Sequence, residues 1–175
     1  GRRAETQGQQ NLVASKEYLD QLGVEVVQSD RGGDVTFHGP GQVVAYPIVR
    51  LNDHGLSVGG YVRKLMDVVI ATLKGFGVDA KRDEAGIGVW VQGLSADLEK
   101  ICALGVRIRR GVSMHGIALN VETDLKYFDL IVPCGLAGKR ATSLRKVLGE
   151  SCPSINAVKQ SLEREFARAF APHRA

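Results

Sequence analysis

Two strand-like segments joined by a short connection most constrain the fold of this chain of 175 residues. Residues 100–109 and 113–121 are rich in apolar residues, and the few residues between them cannot form a parallel crossover, so they predict an antiparallel hairpin. Apolar residues at helical spacing over 62–73 and 154–170 predict two long helices. A sheet built around the hairpin and covered by these helices is an α/β (α+β) fold.

Shorter elements fill the rest of the chain. The patterns predict strands at 24–28, 35–38, 43–51 and 86–91 and short helices at 11–22 and 123–130. Ser57 is the expected N-cap of the first long helix. Pro47 indicates an edge strand or a bulge. With no internal repeat and no linker-like stretch, residues 1–175 are expected to form one domain.

The composition excludes several classes of protein. Apolar residues make up 44% and charged residues 24%, as in ordinary globular domains, and no apolar run is long enough to cross a bilayer. The net charge of +4 permits acidic partners without indicating nucleic acid. The three cysteines fit neither a disulfide framework nor a zinc site, so we expect reduced thiols in the cytoplasm and no metal.

The stretch RGGDVTFHGPGQ, residues 31–42, is unusually poor in side chains. Its four glycines allow positive φ angles and let a ligand or another strand approach the main chain closely. Two interpretations are open, a tight hairpin or one wall of a ligand site. The spacing fits neither a Walker loop nor a dinucleotide-binding fingerprint.

Cys134 lies between proline and glycine in the run IVPCGL. Such a constrained turn suits a nucleophile beside an oxyanion site, and a half-buried loop thiol is the alternative. Cys102, inside a strand, is expected to fill the core, and Cys152 to be structural or exposed.

Lys100 begins the first strand of the predicted hairpin. A regular strand would place its ammonium on the face of Cys102, Leu104, Val106 and Ile108, whereas a one-residue bulge would reverse that face. A strand-end lysine that reaches solvent is equally consistent with the pattern.

His38 and His115 could be ligands, acid–base groups or structural donors. A basic group forms either a solvated face or a docking surface for acidic proteins: Arg107, Arg109, Arg110, Lys139, Arg140, Arg145 and Lys146.

Four of these segments together resemble the lipoyl(octanoyl) transferase family. They are RGGDVTFHGPGQ at 31–42, KICALGVRI at 100–108, SMHGIALNV at 113–121, and PCG at 133–135 followed by Thr142-Ser143-Leu144. The resemblance extends from Asn11 to about Phe170. The family normally has a strand and a helix ahead of the position of Gly1, and tyrosine is commoner where this chain has Phe37.

The resemblance implies transfer of an octanoyl group from acyl carrier protein to a lysine of a lipoyl domain, without a cofactor. The acceptors would be the lipoyl domains of 2-oxoacid dehydrogenases and the glycine cleavage H protein, and the enzyme a cytoplasmic monomer that binds neither nucleic acid nor membrane. The fold would be that of biotin and lipoate protein ligase catalytic domains, with a larger and a smaller mixed sheet flanked by helices.

By motif position, Cys134 would form the acyl thioester and Lys100 would be its partner. The residues expected to line the substrate pocket are Arg31, Gly32, Gly33, Asp34, Val35, Thr36, Phe37, His38, Ala103, Leu104, Gly105, Gly116, Ile117 and Ala118. Arg31 and His38 are expected to fix the glycine-rich wall or to orient the substrate carbonyl, without forming bonds to the substrate themselves. Gly33→Val is expected to damage transfer more than folding.

Three other functions remain open on the sequence. An ATP-dependent lipoate or biotin ligase would share the scaffold but would need no cysteine. A binding module that only docks lipoyl domains would need neither Cys134 nor Lys100. A nucleic-acid binder is suggested only by the positive net charge and would show salt-sensitive binding.

Overall fold

The computed structural model describes residues 1–6, 13–33, 35–83, 86–93, 97–131 and 140–171. The described chain forms two β-sheets flanked by helices, which confirms the predicted fold class. Within these residues, no helix has the length and apolar composition needed to cross a bilayer.

The smaller sheet has three strands in the order β2-β1-β3. They are β1 (Arg2–Thr6), β2 (Val24–Gln28) and β3 (Thr36–His38). β1 pairs in parallel with β2 and antiparallel with β3. Helix α1 (Lys16–Gln21) contributes Leu19 to the core on this side. The predicted helix at 11–22 is thus shorter than expected, because Ser15 caps it by accepting a hydrogen bond from the Tyr18 amide.

The larger sheet has five strands in the order β4-β8-β7-β6-β5, and all its strand pairs are antiparallel. They are β4 (Gln42–Ala45), β5 (Ala80–Asp83), β6 (Gly86–Gln92), β7 (Leu98–Arg109) and β8 (Val112–Asn120). The β7–β8 pair is the hairpin that the sequence predicted. The strand expected over 43–51 ends at Ala45, before Pro47, which cannot donate to a ladder.

Two long helices cover one face of the larger sheet. Helix α2 (Val58–Lys74) has the predicted residue Ser57 as its N-cap, and helix α4 (Ile155–Ala169) has Ser154 as its N-cap. Their buried faces pack with the sheet into the main core, which includes Leu65, Leu73, Val158 and Leu162. The connecting elements are the 3-10 helices Leu51–His54, Leu125–Leu130 and Gly149–Ser151 and the short helix α3 (Leu144–Leu148).

A bulge in β7 sets the direction of the Lys100 side chain. Val89 pairs with Cys102 but Trp90 pairs with Lys100, so Ile101 is an extra residue on β7. Ile101 and Cys102 both enter the main core, whereas Lys100 and Trp90 lie against the opposite face of the sheet. Of the two alternatives left open by the sequence, the one-residue bulge is therefore present and the regular strand is not. Cys102, Leu104, Val106 and Ile108 pack with the main core, and Lys100 does not.

We expect Leu73→Ala to destabilise the protein by about 2–5 kcal/mol, because Leu73 is fully buried under the larger sheet and its loss leaves a cavity. Val58→Ala is the control on the same helix, where half of the side chain is exposed, and it should change the free energy of unfolding by less than about 0.5 kcal/mol. Urea unfolding followed by circular dichroism measures both. Equal losses in the two variants would contradict this account of the core.

Candidate active site

A cleft lies between the two sheets, on the face of the larger sheet opposite α2 and α4. β7 and β8 supply its floor, where Ala103 pairs with Ala118 and Gly105 with Gly116. The segment from Arg31 to His38 supplies one wall. The cleft encloses about 900 Å³ of empty space, including its open mouth.

Most of the residues singled out from the sequence line this cleft. They are Arg31, Gly33, Val35, Thr36, His38, Lys100, Ala103, Leu104, Gly105, His115, Gly116, Ile117 and Ala118. Gly32 and Phe37 do not line it. Phe37 points into the core of the smaller sheet and stacks on Tyr127, with ring centroids 4.9 Å apart. Asp34 and Cys134 lie outside the described residues.

The Lys100 ammonium sits over an aromatic ring. Its Nζ lies 4.7 Å from the centroid of the Trp90 ring, within the range of a cation–π contact. Gly88 makes room for this side chain, since a Cβ on Gly88 would come within 2.9 Å of Lys100 Cε. The charge therefore lies at the cleft, beside a fully buried indole.

The main chain of Lys100 also holds the segment that follows residues 132–139. The Lys100 amide donates to Arg140 O at 2.8 Å, and the Thr142 amide donates to Lys100 O at 2.9 Å. Lys100 and Ala141 thus form a parallel bridge at the point where β8 no longer accompanies β7. Ile131, on the other side of residues 132–139, also lines the cleft.

A buried ion pair fixes the wall of the cleft. Arg31 donates through Nε to Glu5 Oε2 at 3.4 Å and through a terminal nitrogen to Glu5 O at 3.1 Å, and both side chains are over 90% buried. His38 Nε2 lies 3.6 Å from the same carboxylate. Burial lowers the pKa of His38, against the opposing effects of a hydrogen bond to Gln42 and of the Glu5 charge.

A second polar group holds the start of this wall. His115 Nε2 lies 2.8 Å from Asp30 Oδ1, and Arg107 forms an ion pair with the same carboxylate. The His115 hydrogen bond and the Arg107 charge keep the pKa of Asp30 below its usual range. The His115 backbone has φ +57°, an uncommon conformation for a residue with a side chain, and its ring packs edge-on against Tyr46. The contacts tie the loop before Arg31 to the β7–β8 hairpin.

Glycines close the far end of the cleft. A Cβ on Gly105 would meet Arg31 Cδ at 2.7 Å and Gly32 O at 2.8 Å, and a Cβ on Gly116 would overlap Ala45 O. The Gly32 amide also donates to Val106 O at 2.9 Å. The wall therefore lies directly against the β7 backbone at Gly105, and the end of β4 lies directly against β8 at Gly116.

Gly33 adopts φ +92°, which strains any residue with a side chain. The expectation that Gly33→Val would damage transfer more than folding therefore has no structural basis, because the substitution distorts the backbone in the absence of substrate.

The two described cysteines have little thiolate character. Cys102 is fully buried, as expected, and burial raises its pKa to about 12. Cys152 is half-buried, and burial raises its pKa as well. Neither thiol is suited to nucleophilic attack at neutral pH.

Sequence reasoning missed several residues that line the cleft or hold its wall. Glu5 was passed over because RRAET shows no strand-like alternation, although it lies on the central strand of the smaller sheet. Gln42 ends one of the quoted motifs and Asn120 is the second-last residue of another, but their mutual contact has no signal in the sequence. The other lining residues that were missed are Tyr46, Ile87, Trp90, Phe128, Ile131 and Ala141. Arg140, taken as part of a basic surface, also lines the cleft.

Comparison with known sequences finds one matching family and relatives that share the same name. The family described as the lipoyl protein ligase A/B catalytic domain matches residues 5–167. An octanoyltransferase from Bacteroides fragilis is 46% identical over 160 residues, which are 91% of this chain and 72% of that protein. An octanoyltransferase from Chloroflexus aurantiacus is 48% identical over 162 residues, 92% of this chain and 71% of that protein.

Solved structures are similar to this chain at the level of the fold. A lipoate protein ligase from Thermoplasma acidophilum, solved in a study of that ligase and its E2 lipoyl domain, aligns with a TM-score of 0.71 at 18% identity. The alignment covers 96% of this chain and 67% of that one. A biotin protein ligase from Aquifex aeolicus aligns with a TM-score of 0.55 at 14% identity, over 84% of this chain and 58% of that one.

We expect Gly116→Ala to destabilise the protein by about 2 kcal/mol or more, because the added methyl group must displace the β4 backbone at Ala45. Gly59→Ala is the matched control at an open position in α2, and it should be neutral or stabilising by up to about 1 kcal/mol. Thermal unfolding compares the two. A Gly116→Ala protein as stable as Gly59→Ala would show that β4 and β8 are not in close contact.

Proposed function

This chain belongs to the octanoyltransferase family, within the lipoyl protein ligase A/B catalytic domains, and we propose that it is an acyltransferase that carries out octanoyl transfer in lipoate biosynthesis. The donor in this proposal is octanoyl-acyl carrier protein. The acceptors are lysines of lipoyl domains in 2-oxoacid dehydrogenases and in the glycine cleavage H protein. A monomeric state and a cytoplasmic location are further parts of the proposal and rest on the sequence alone.

The observation that supports the proposal most is the environment of Lys100. Its ammonium faces the cleft, and its backbone pairs with Arg140 and Thr142, directly after the stretch that contains Cys134. Cys134 is three peptide links from Ile131, so their Cα atoms are at most about 11 Å apart at 3.8 Å per link. Ile131, at the other end of that distance, lines the same cleft.

In the first step, the Cys134 thiolate attacks the thioester carbonyl of the donor. The new carbon–sulfur bond forms as the bond to the carrier thiol breaks, and that thiol leaves with a proton. A nearby ammonium lowers the pKa of a cysteine and favours its thiolate, which is the role we assign to Lys100. Exchange of one thioester for another is nearly isoenergetic, so the step needs no ATP.

In the second step, the lysine amine of the acceptor attacks the acyl-Cys134 carbonyl. An ammonium is not nucleophilic, so a base must first remove its proton. Lys100 is suited to this role in its neutral form, having given its proton to the departing carrier thiol. As the amide forms, the bond to Cys134 breaks and releases its thiolate, and the nitrogen loses a second proton, which passes to solvent. The greater stability of an amide over a thioester makes the step downhill.

The floor of the cleft has a length that suits an eight-carbon chain. From Lys100 to Gly105, allowing for the extra residue at Ile101, β7 advances four regular steps, or about 13 Å at 3.3 Å per residue. An extended octanoyl chain is about 9 Å long, with carbon–carbon bonds of about 1.5 Å. Ala103 and Ala118 place only small side chains on this floor, and Arg31 and Gly32 lie directly against Gly105 at its end.

An ATP-dependent ligase is the less supported alternative. The likeness to lipoate ligase structures is at 18% identity and concerns the fold, whereas relatives at 44–51% identity are octanoyltransferases. A ligase would also leave Cys134 without a role. Turnover with octanoyl carrier protein in the absence of ATP separates the two reactions.

Incubation with octanoyl-acyl carrier protein and no ATP should add one octanoyl group to Cys134, detected by intact mass and peptide mapping. Cys134→Ser should show no thioester adduct. Cys102→Ala is the control and should still form the adduct, because Cys102 is buried with a raised pKa. No adduct on the wild-type protein, or an adduct that persists in Cys134→Ser, would contradict the proposal.

Lys100→Ala should slow adduct formation and move its pH optimum upward, since the Cys134 thiolate then forms only at higher pH. Lys100→Arg keeps a positive charge that does not act as a base at neutral pH, so it should acylate Cys134 but transfer the acyl group to a lipoyl domain at least about 10²-fold more slowly. Single-turnover mass spectrometry follows each step separately. Unchanged transfer in Lys100→Arg would remove Lys100 as the base.

A further inference from the structure

Two side-chain amides connect the wall of the cleft to the strand pair at Lys100. Gln42 and Asn120 are partners across β4 and β8. Gln42 Nε2 donates to Phe37 O at 3.0 Å and to Asn120 Oδ1 at 2.9 Å. Asn120 Nδ2 in turn donates to Thr142 O at 2.9 Å. Because carbonyl oxygens only accept, these contacts fix the orientation of both amides.

The orientation of Gln42 also sets the tautomer of His38. With its nitrogen engaged as a donor, Gln42 offers Oε1 to His38 Nδ1 at 3.2 Å, so His38 must donate from Nδ1. Nε2 of the same ring faces the Glu5 carboxylate at 3.6 Å, a contact that becomes an ion pair only when the ring is protonated. A continuous set of hydrogen bonds runs from His38 through Gln42 and Asn120 to the backbone of Thr142.

This set of contacts ends at residues 140–142, which are also bound by the backbone of Lys100. The β7 backbone binds residues 140–142 through Lys100, and Asn120 binds the Thr142 carbonyl. Asn120 is 4% exposed and Thr142 is fully buried, so the hydrogen bond between them is shielded from solvent in the intact protein. A buried acceptor left without a donor favours displacement of the segment that carries it.

We propose that Asn120, oriented by Gln42, is a positioning residue that keeps the Cys134 thiolate beside the Lys100 ammonium. The inference rests on the proposed function, since it assigns Asn120 a role only if Cys134 and Lys100 react as a pair. Asn120 acts through residues 140–142, where the chain that bears Cys134 rejoins β7. A misplacement of about 1 Å costs roughly 10²-fold in rate when two reacting groups must be aligned.

The test uses Asn120→Ala and measures two quantities on the full chain. The first is the rate constant for acylation of Cys134 by octanoyl-acyl carrier protein in a single turnover. The second is the pH dependence of iodoacetamide alkylation at Cys134, read by peptide mapping, which reports the apparent pKa of that thiol without substrate. We expect acylation about 10–100-fold slower and an apparent pKa displaced toward the ordinary thiol value of about 8.5.

Two further variants keep the test decisive. Gln42→Met fills a similar volume but removes the amide that orients Asn120. Like Asn120→Ala, it should slow acylation and raise the apparent pKa of Cys134. It decides the outcome if Asn120→Ala does not fold. Leu73→Ala is the stability control, far from the cleft, and should leave the apparent pKa of Cys134 unchanged.

The outcomes separate this inference from the proposed function. If wild-type Cys134 is not acylated, the proposed function fails. If wild-type Cys134 is acylated with a lowered apparent pKa, and a folded Asn120→Ala or Gln42→Met protein matches it in both quantities, the inference about Asn120 is overturned while the proposed function stands.

Discussion

The backbone pairing of Lys100 with residues 140–142 is the contact on which the candidate site depends. It joins the middle of the larger sheet to the segment that follows residues 132–139, and it does so at the residue that carries the ammonium. The bulge at Ile101 determines which face of the sheet the Lys100 side chain takes. Without the extra residue, Lys100 would point into the main core beside Cys102, where an unpaired charge is strongly unfavourable.

The second constraint is the buried polar set that joins the two sheets. Arg31 and Glu5 are both buried, and the loss of one partner from such a pair costs about 3–5 kcal/mol because the other charge stays out of water. Glu5 lies on β1, Arg31 on the wall, and Gln42 and Asn120 on the larger sheet. The wall of the cleft and its floor are therefore held in register by groups that tolerate little displacement. Such rigidity is what a reaction between two aligned groups requires.

Much of the fold followed from local patterns in the sequence. The hairpin, the two long helices and the cap at Ser57 are set by period, loop length and capping chemistry, and all are present. β1 was missed because its two exposed arginines and buried Glu5 hide the apolar alternation that marks a strand. The pairing of Glu5 with Arg31, 26 positions away, is a property of the folded chain alone.

The site residues were predicted from family motifs rather than from the physical pattern of the sequence. The glycine-rich wall, Ala103, Gly105 and Ala118 line one cleft, but their meeting depends on strand register, which a single bulge alters. The direction of Lys100 shows this, since the regular strand expected from the alternation places it on the wrong face. Gln42 and Asn120 resemble ordinary polar strand ends in sequence, and only their mutual hydrogen bond reveals a connection. The role of Cys134 remains a prediction.

A crystal structure of the protein after reaction with an octanoyl thioester tests the central claim most directly. The account predicts an octanoyl group bonded to Cys134 Sγ, with its chain along Ala103 and Ala118 toward Gly105 and Gly116, and Lys100 Nζ within hydrogen-bonding distance of the thioester. An acyl group bound at another residue, or a Cys134 sulfur on the opposite side of the sheet from the Lys100 amine, would contradict it.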